Sequence, residues 1–251
     1  MRASRAHELA WRLVLDGTHE GAKNMAIDHA LASRLREKEG VVRLYGWTRP
    51  TVSFGKNEPA ARIGTEVDYV RRPTGGRAVL HDQELTYAVV APLDTFGGLK
   101  EAYLRINAAL AVALRSLGAP VDVVGEGAPA LGPDAGPCFQ APATGEIVAS
   151  GRKVVGSAQA RLEGALLQHG SILMAGDQGP LGVAGEASAS ITLSELLGAA
   201  DLAAVTHATA EGLMGGFGGR WETGRLRDDE LEAADRLEAE RYGQEVWTWR
   251  R

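Results

Sequence analysis

The chain has one cysteine, Cys138, and Lys153 follows it 15 residues later in the run Gly151-Arg152-Lys153-Val154-Val155-Gly156-Ser157-Ala158-Gln159. A single thiol makes no internal disulfide and supplies no thiolate cluster for a metal, which leaves packing or chemistry. The chemistry would be nucleophilic. A free thiol titrates near ~8.5, so only a small part is thiolate at neutral pH, and an ammonium held close raises that part. A cysteine in an irregular loop with a strand-borne lysine nearby meets the needs of acyl transfer. The alternative is a small buried apolar residue, and Cys138 alone does not choose between them.

A second constellation is Arg71-Arg72-Pro73-Thr74-Gly75-Gly76-Arg77-Ala78-Val79-Leu80-His81-Asp82. Two adjacent glycines between strand-forming runs give a turn that tolerates positive φ and lets a ligand approach the backbone. Arginines on both sides would offer an anion or carbonyl both amide donors and guanidinium forks. Solvated arginines on a plain hairpin fit the pattern as well. It is neither a P-loop, lacking Gly-Lys-Ser/Thr, nor a dinucleotide fingerprint. His81 alternates with Val79 and Arg77, and His169 with Leu167 and Ser171. Either histidine could be a base or a hydrogen-bonded packing residue, and spacing identifies no orienting partner. The six histidines show no His-x-x-x-His spacing and no Cys-x-x-Cys exists, so no metal site is expected. The absence of Gly-x-Ser-x-Gly counts against a serine hydrolase of that architecture.

These groups need a scaffold, and 251 residues with 45% hydrophobic and 24% charged content suit one sizeable globular core. A net charge of −5 gives no general case for nucleic-acid binding, which needs a concentrated basic face. No apolar stretch reaches signal-peptide or membrane-span length, so a cytoplasmic protein is expected. Strands are predicted at Trp11–Leu15, Val41–Trp47, Thr51–Phe54, Val67–Arg72, Arg77–His81 and Leu85–Val90. Amphipathic helices are predicted over Gly21–Lys38 and Gly98–Leu117, the second stopped by Gly118 and Pro120. Gly125–Gly136 reads as a long loop with Cys138 at its exit. Three further strands, Ile147–Ala149, Lys153–Arg161 and Ala165–Met174, form a meander. On the predicted strand, simple alternation puts Lys153, Val155, Ser157 and Gln159 on one face. The last quarter is expected to be helical, at Leu193–Leu197, Leu202–Met214 and Asp228–Tyr242. Strands followed by helices predict an α+β fold, with helices packed on a mostly antiparallel, mixed sheet.

Taken together, the Arg71–Asp82 run with Glu84-Leu85-Thr86-Tyr87, and the Gly151–Gln159 run with Gln168-His169-Gly170-Ser171-Ile172-Leu173, resemble the biotin/lipoate protein ligase catalytic superfamily. Asn24-Met25-Ala26-Ile27-Asp28 and Tyr45-Gly46-Trp47 add to the likeness, which runs from about Trp11 to Tyr242. Within it, the chain is most similar to octanoyltransferases that carry a cysteine in a loop. The resemblance implies a single catalytic domain over residues 1–251 with a helical C-terminal part from about 193. It implies transfer of an octanoyl group from octanoyl–acyl carrier protein to a lysine of the glycine cleavage H protein or another lipoyl domain, without cofactor. Cys138 would be the acyl-thioester nucleophile and Lys153 the cation that activates it. Arg72, Gly75, Gly76, Arg77, His81, Gly156 and Ser157 would line the substrate site. Arg71, Arg72 and Arg77 could dock an acidic carrier. Ala141-Pro142 stands where the family often has Ser-Pro, so an ATP-dependent lipoate–protein ligase stays open. So do an octanoyl or lipoyl amidotransferase and a non-catalytic acyl-binding protein.

Overall fold

The strand-forming runs of the first two thirds assemble into two sheets, and helices cover both faces of the larger one. The computed structural model describes residues 5–62, 66–125, 143–176, 178 and 190–250. The first half contains β1 (Ala10–His19), α1 (Gly21–Ser33), β2 (Glu39–Trp47), β3 (Thr51–Phe54), β4 (Asp68–Arg71), β5 (Val79–His81) and β6 (Glu84–Pro92). Next come α2 (Leu99–Ser116), β7 (Asp122–Val123), β8 (Ile147–Ala149), β9 (Arg152–Leu162) and β10 (Ala165–Leu173). The C-terminal part holds α3 (Leu193–Leu197), α4 (Leu202–Phe217), β11 (Arg220–Gly224), α5 (Asp228–Leu237), a π turn at Glu238–Tyr242 and α6 (Glu245–Thr248).

The main sheet runs β11-β1-β2-β6-β10-β9-β8-β7, and a small sheet runs β4-β3-β5. In the main sheet only the pairs of β1, with β2 and β11, are parallel. The expected α+β class is what the chain forms. Strand β6 shows why it reads as a continuous apolar run: Leu85, Tyr87 and Val89 face α2 and α4, while Ala88 and Val90 face α1 and α5. A strand covered on both faces loses the polar half of its alternation. No helix among the described residues is long and apolar enough to cross a membrane.

Three expectations need correction. Helix α1 stops at Ser33 and not at Lys38, since Arg34 already leaves helical geometry at φ −112° and ψ 11°, and Lys38 then takes a φ of 58° as the chain turns into β2. The last quarter is not purely helical: β11 returns to the main sheet and pairs in parallel with β1 from Ala10↔Arg220 to Val14↔Gly224. Its Arg-Trp-Glu-Thr-Gly sequence offers no apolar alternation, as befits an edge strand. Its Trp221 stacks on the buried Trp11 at 5.3 Å.

The third correction bears on the site. Between β8 and β9 the register runs Val148↔Lys153, then Ile147↔Val155, with one extra residue on β9. Such a bulge turns two successive side chains to one side, and Val154 and Val155 both pack into the core beneath α2. Strict alternation therefore fails at Lys153. It sits across from Val148, on the face opposite Ile147 and Ala149, which belong to the α2 core. The bulge moves Lys153 onto the face of Gly156 and Ala158, away from that of Val155 and Ser157.

Candidate active site

Side chains from both sheets and α1 converge on a slot of about 30 Å³ between them, room for about two waters. Trp47, Ser53, Arg72, His81, Gly156 and His169 are among its walls. Its hydroxyl, imidazole and guanidinium groups, set among Met25, Trp47, Val79 and Ala158, suit a reacting head group.

The helix residue Asp28 and the β10 residue His169 are 141 positions apart, and the fold brings them together. His169 Nδ1 lies 2.8 Å from Asp28 Oδ2, and His169 Nε2 lies 2.7 Å from Thr74 Oγ1. Asp28 Oδ1 accepts from Arg43 Nη1 at 2.8 Å, and Oδ2 also accepts from the Tyr45 hydroxyl at 2.9 Å. Burial pushes the Asp28 carboxyl up, but the His169 hydrogen bond and the Arg43 charge outweigh it and hold the group below the ordinary carboxylate range. Burial pushes His169 down, against the pull of Asp28. A neutral His169 donates through Nδ1 and accepts the Thr74 hydroxyl proton at Nε2. Sequence spacing offered neither partner.

His81 finds its partner locally. The β5–β6 hairpin puts Glu84 Oε1 2.8 Å from His81 Nδ1, while His81 Nε2 lies 2.7 Å from Ser53 Oγ. The signal was present as a histidine and a glutamate three residues apart across a tight turn, but reading it requires knowing that the turn is there.

Two arginines of the glycine motif, Arg71 and Arg72, are not solvated. Arg71 is fully buried and donates to backbone carbonyls, among them Gly55, Glu58, Thr248 and Arg250. Arg72 is 4% exposed; it donates to the carbonyls of Ser53, Gly75 and Arg77. Their proposed docking of an acidic carrier is therefore corrected: buried donors held by carbonyls have no surface to offer. Arg72 instead clamps the loop whose Gly75 and Gly76 are exposed and whose Arg77 is half-buried. The clamp presses the loop onto β3, and a Cβ at Gly55 would lie 1.9 Å from the Gly76 carbonyl oxygen. Alanine at Gly55 should cost about 1–3 kcal/mol by overpacking. Alanine at Gly75, with nothing within 4 Å, should stay within about 0.5 kcal/mol. Urea unfolding of the two variants checks the contrast, and equal losses would mean that the clamp is not tight.

Lys153 is the one buried lysine among the described residues, and its Nζ sits 2.9 Å and 3.0 Å from the two oxygens of Glu146. Cys138 and the glycine-rich stretch 126–136 before it lie outside the described residues. Gly156 and Ser157 both border the slot, yet the Ser157 hydroxyl turns away from it, to Tyr87 at 2.7 Å and Asn107 at 3.2 Å. Among the described residues no group of three acidic, histidine or cysteine side chains could hold a metal ion.

Residues 20–195 match the family model of the lipoyl protein ligase A/B catalytic domain. Octanoyltransferase LipM of Kyrpidia tusciae is 37% identical over 276 residues, spanning 96% of this chain and 99% of that protein. Octanoyltransferase LipM of Bacillus subtilis is 40% identical over 188 residues, 68% of each chain. Among solved structures, lipoate-protein ligase A bound with ATP superposes with a TM-score of 0.83 at 22% identity, over 96% of this chain and 99% of that one. A bipartite lipoate protein ligase from Thermoplasma acidophilum gives 0.77 at 21% identity over 96% of each. The structural pair shares the fold.

Proposed function

Because the chain belongs to the lipoyl protein ligase A/B catalytic-domain family, we propose that it carries an octanoyl group from octanoyl–acyl carrier protein to a lysine of a lipoyl domain, with Cys138 as the thioester nucleophile. The protein is an acyltransferase of octanoyl transfer in lipoate biosynthesis. The observation that carries this is the end-to-end likeness to octanoyltransferase LipM of Kyrpidia tusciae. The glycine cleavage H protein is the acceptor we expect, and residues 1–251 act as one cytoplasmic catalytic domain in this reading. The pairing of β11 with β1, which ties the C-terminal part into the main sheet, supports the single domain.

The chemistry runs in two steps. The Cys138 thiolate attacks the donor thioester and the carrier's thiol leaves, so the acyl group stays activated. The acceptor amine then attacks the enzyme thioester, an amide forms and the Cys138 thiolate departs. Amide formation from a thioester is downhill, so the cycle calls for neither ATP nor a cofactor. Lys153 would favour the thiolate in the first step and the oxyanion in both. The bulge supports that role, since it moves Lys153 onto the face of Gly156 and Ala158 and off the face that packs against α2. Gly75, Gly76 and Arg77 would border the acyl carbonyl, with Arg72 holding their loop in place. Gly156 and Ser157 would contribute backbone to the same wall, and His81 lies across the slot.

The fold neighbours are ligases, and one is described as bound with ATP, so the energy source is the discriminating measurement. Purified enzyme, octanoyl–acyl carrier protein and unlipoylated H protein should give octanoyl-H protein with no nucleotide present. Transfer that appears only with ATP and free octanoate would assign the chain to the ligase chemistry.

A further inference from the structure

The slot holds a chemical unit that the thiol and the lysine leave unused. Ser53 on β3 is fully buried and still borders the slot. Its Oγ meets His81 Nε2 at 2.7 Å, and His81 Nδ1 meets Glu84 Oε1 at 2.8 Å. With Glu84 accepting at Nδ1, the free lone pair of Nε2 faces the Ser53 hydroxyl proton. Trp47 stacks on the His81 ring at 3.9 Å and 13°, which fixes its plane. Arg72 Nη1 donates to the same Ser53 oxygen at 3.1 Å, so the hydroxyl is polarised from both ends. Glu84 Oε2 is buried with no hydrogen-bond partner among the described residues. Glu84 Oε1 also accepts from Trp47 Nε1 at 3.1 Å, Thr86 Oγ1 at 2.6 Å and Ser171 Oγ at 2.8 Å, so the carboxylate that faces His81 is itself held in place.

We infer that Ser53, His81 and Glu84 form the proton relay of the second half-reaction, in which the acceptor lysine attacks the acyl-enzyme. The inference rests on the thioester reading above. A neutral amine attacks the thioester carbon, the N–C bond forms and the C–S bond breaks with its electron pair going to the Cys138 sulfur. The nitrogen must shed one proton. That proton passes to Ser53 Oγ while the Ser53 proton moves to His81 Nε2, and Glu84 faces the resulting imidazolium. The proton then returns to the departed thiolate and resets the site. A slot sized for about two waters fits a primary amine entering end-on. The relay sits among the Arg72 guanidinium on Ser53, the Glu84 carboxylate, and the neighbouring His169 with Asp28 behind it.

The test separates the half-reactions. Octanoyl-enzyme is prepared from octanoyl–acyl carrier protein, freed of donor and mixed with excess H protein, and loss of the adduct is followed by intact mass. His81→Gln and Ser53→Ala should lower the aminolysis rate constant about 100-fold or more relative to the acylation rate constant. Ser53→Thr, which keeps a hydroxyl, should recover most of the loss. Because a neutral amine is the attacking species in every case, wild type and both deficient variants should share a rise of about tenfold per pH unit through the neutral range, set by a lysine of pKa near 10.4, with the variants' rates displaced downward. Equal losses in both half-reactions, or no loss in either, would overturn the relay alone. An octanoyl ester on Ser53 in Cys138→Ala enzyme would make the hydroxyl a nucleophile and also overturn it. Wild type that never forms an acyl-enzyme would remove the thioester reading, and the relay with it.

Discussion

Alanine at Lys153 should lower octanoyl transfer about 100- to 1,000-fold, the loss expected if the proposed role as a preorganised donor to the developing oxyanion is removed. The same change should slow iodoacetamide alkylation of Cys138 at neutral pH, because an ammonium that favours the thiolate has gone. It also strands Glu146, whose carboxylate is buried against Lys153. Breaking one side of such a pair is expensive, whereas neutralising both is far milder. Lys153→Met combined with Glu146→Gln should therefore regain most of the stability lost by Lys153→Ala while remaining inactive. Recovery of activity along with stability would reduce Lys153 to a structural cation. Unchanged alkylation kinetics would remove it from thiol activation.

The second large effect is on folding. Asparagine at Asp28 should cost about 3–5 kcal/mol, the range for leaving a buried charge without its partner. The substitution keeps shape but not function. Asp28 accepts from Arg43 on one oxygen and from His169 and Tyr45 on the other. An amide has a single acceptor atom, so its NH₂ must face either a guanidinium or an imidazole N–H and a hydroxyl. Burial and this network also set the acid limb of stability. Both groups have folded-state pKa values below their ordinary ones. His169 is protonated in the unfolded chain below about 6.5 while the folded chain resists it, so stability starts to fall there. The Asp28 contribution is full above the usual carboxylate range and is lost as pH drops through its depressed folded value. Chemical denaturation at pH 7.5 and 5.5 reads the His169 contribution, the Asp28 one being full at both, and a loss under about 1 kcal/mol for Asp28→Asn would contradict the network's role.

Much of the scaffold could be read in advance where punctuation was local. Thr51–Phe54, Ile147–Ala149 and Leu193–Leu197 form the elements expected of them, because proline, glycine or a capping Thr192–Glu195 pair bounds each one. The family likeness rested on motifs whose strand and turn placement was also local. What stayed hidden was tertiary. Charge reads as solvated, so nothing in Arg71-Arg72 announced two buried guanidinium groups spent on carbonyls. Glu230, in the acid-rich first turn of α5, is buried against Arg12 at 2.5 Å. The bulge at Val154 cannot be seen by alternation, since two valines in succession fit either face. Asp28 and His169 were each named, but no spacing rule joins α1 to β10. Strand β11 has the composition of a loop and becomes a strand only because β1 offers an open edge.

On the proposed mechanism an octanoyl group would rest on the Cys138 sulfur between donor and acceptor. Intact-mass measurement of the enzyme after incubation with octanoyl–acyl carrier protein, without ATP and without acceptor, reads that intermediate. The wild-type chain should gain one octanoyl group, released by hydroxylamine and absent from Cys138→Ala. An unmodified wild-type mass while transfer to H protein proceeds, or the same adduct on Cys138→Ala, would contradict it.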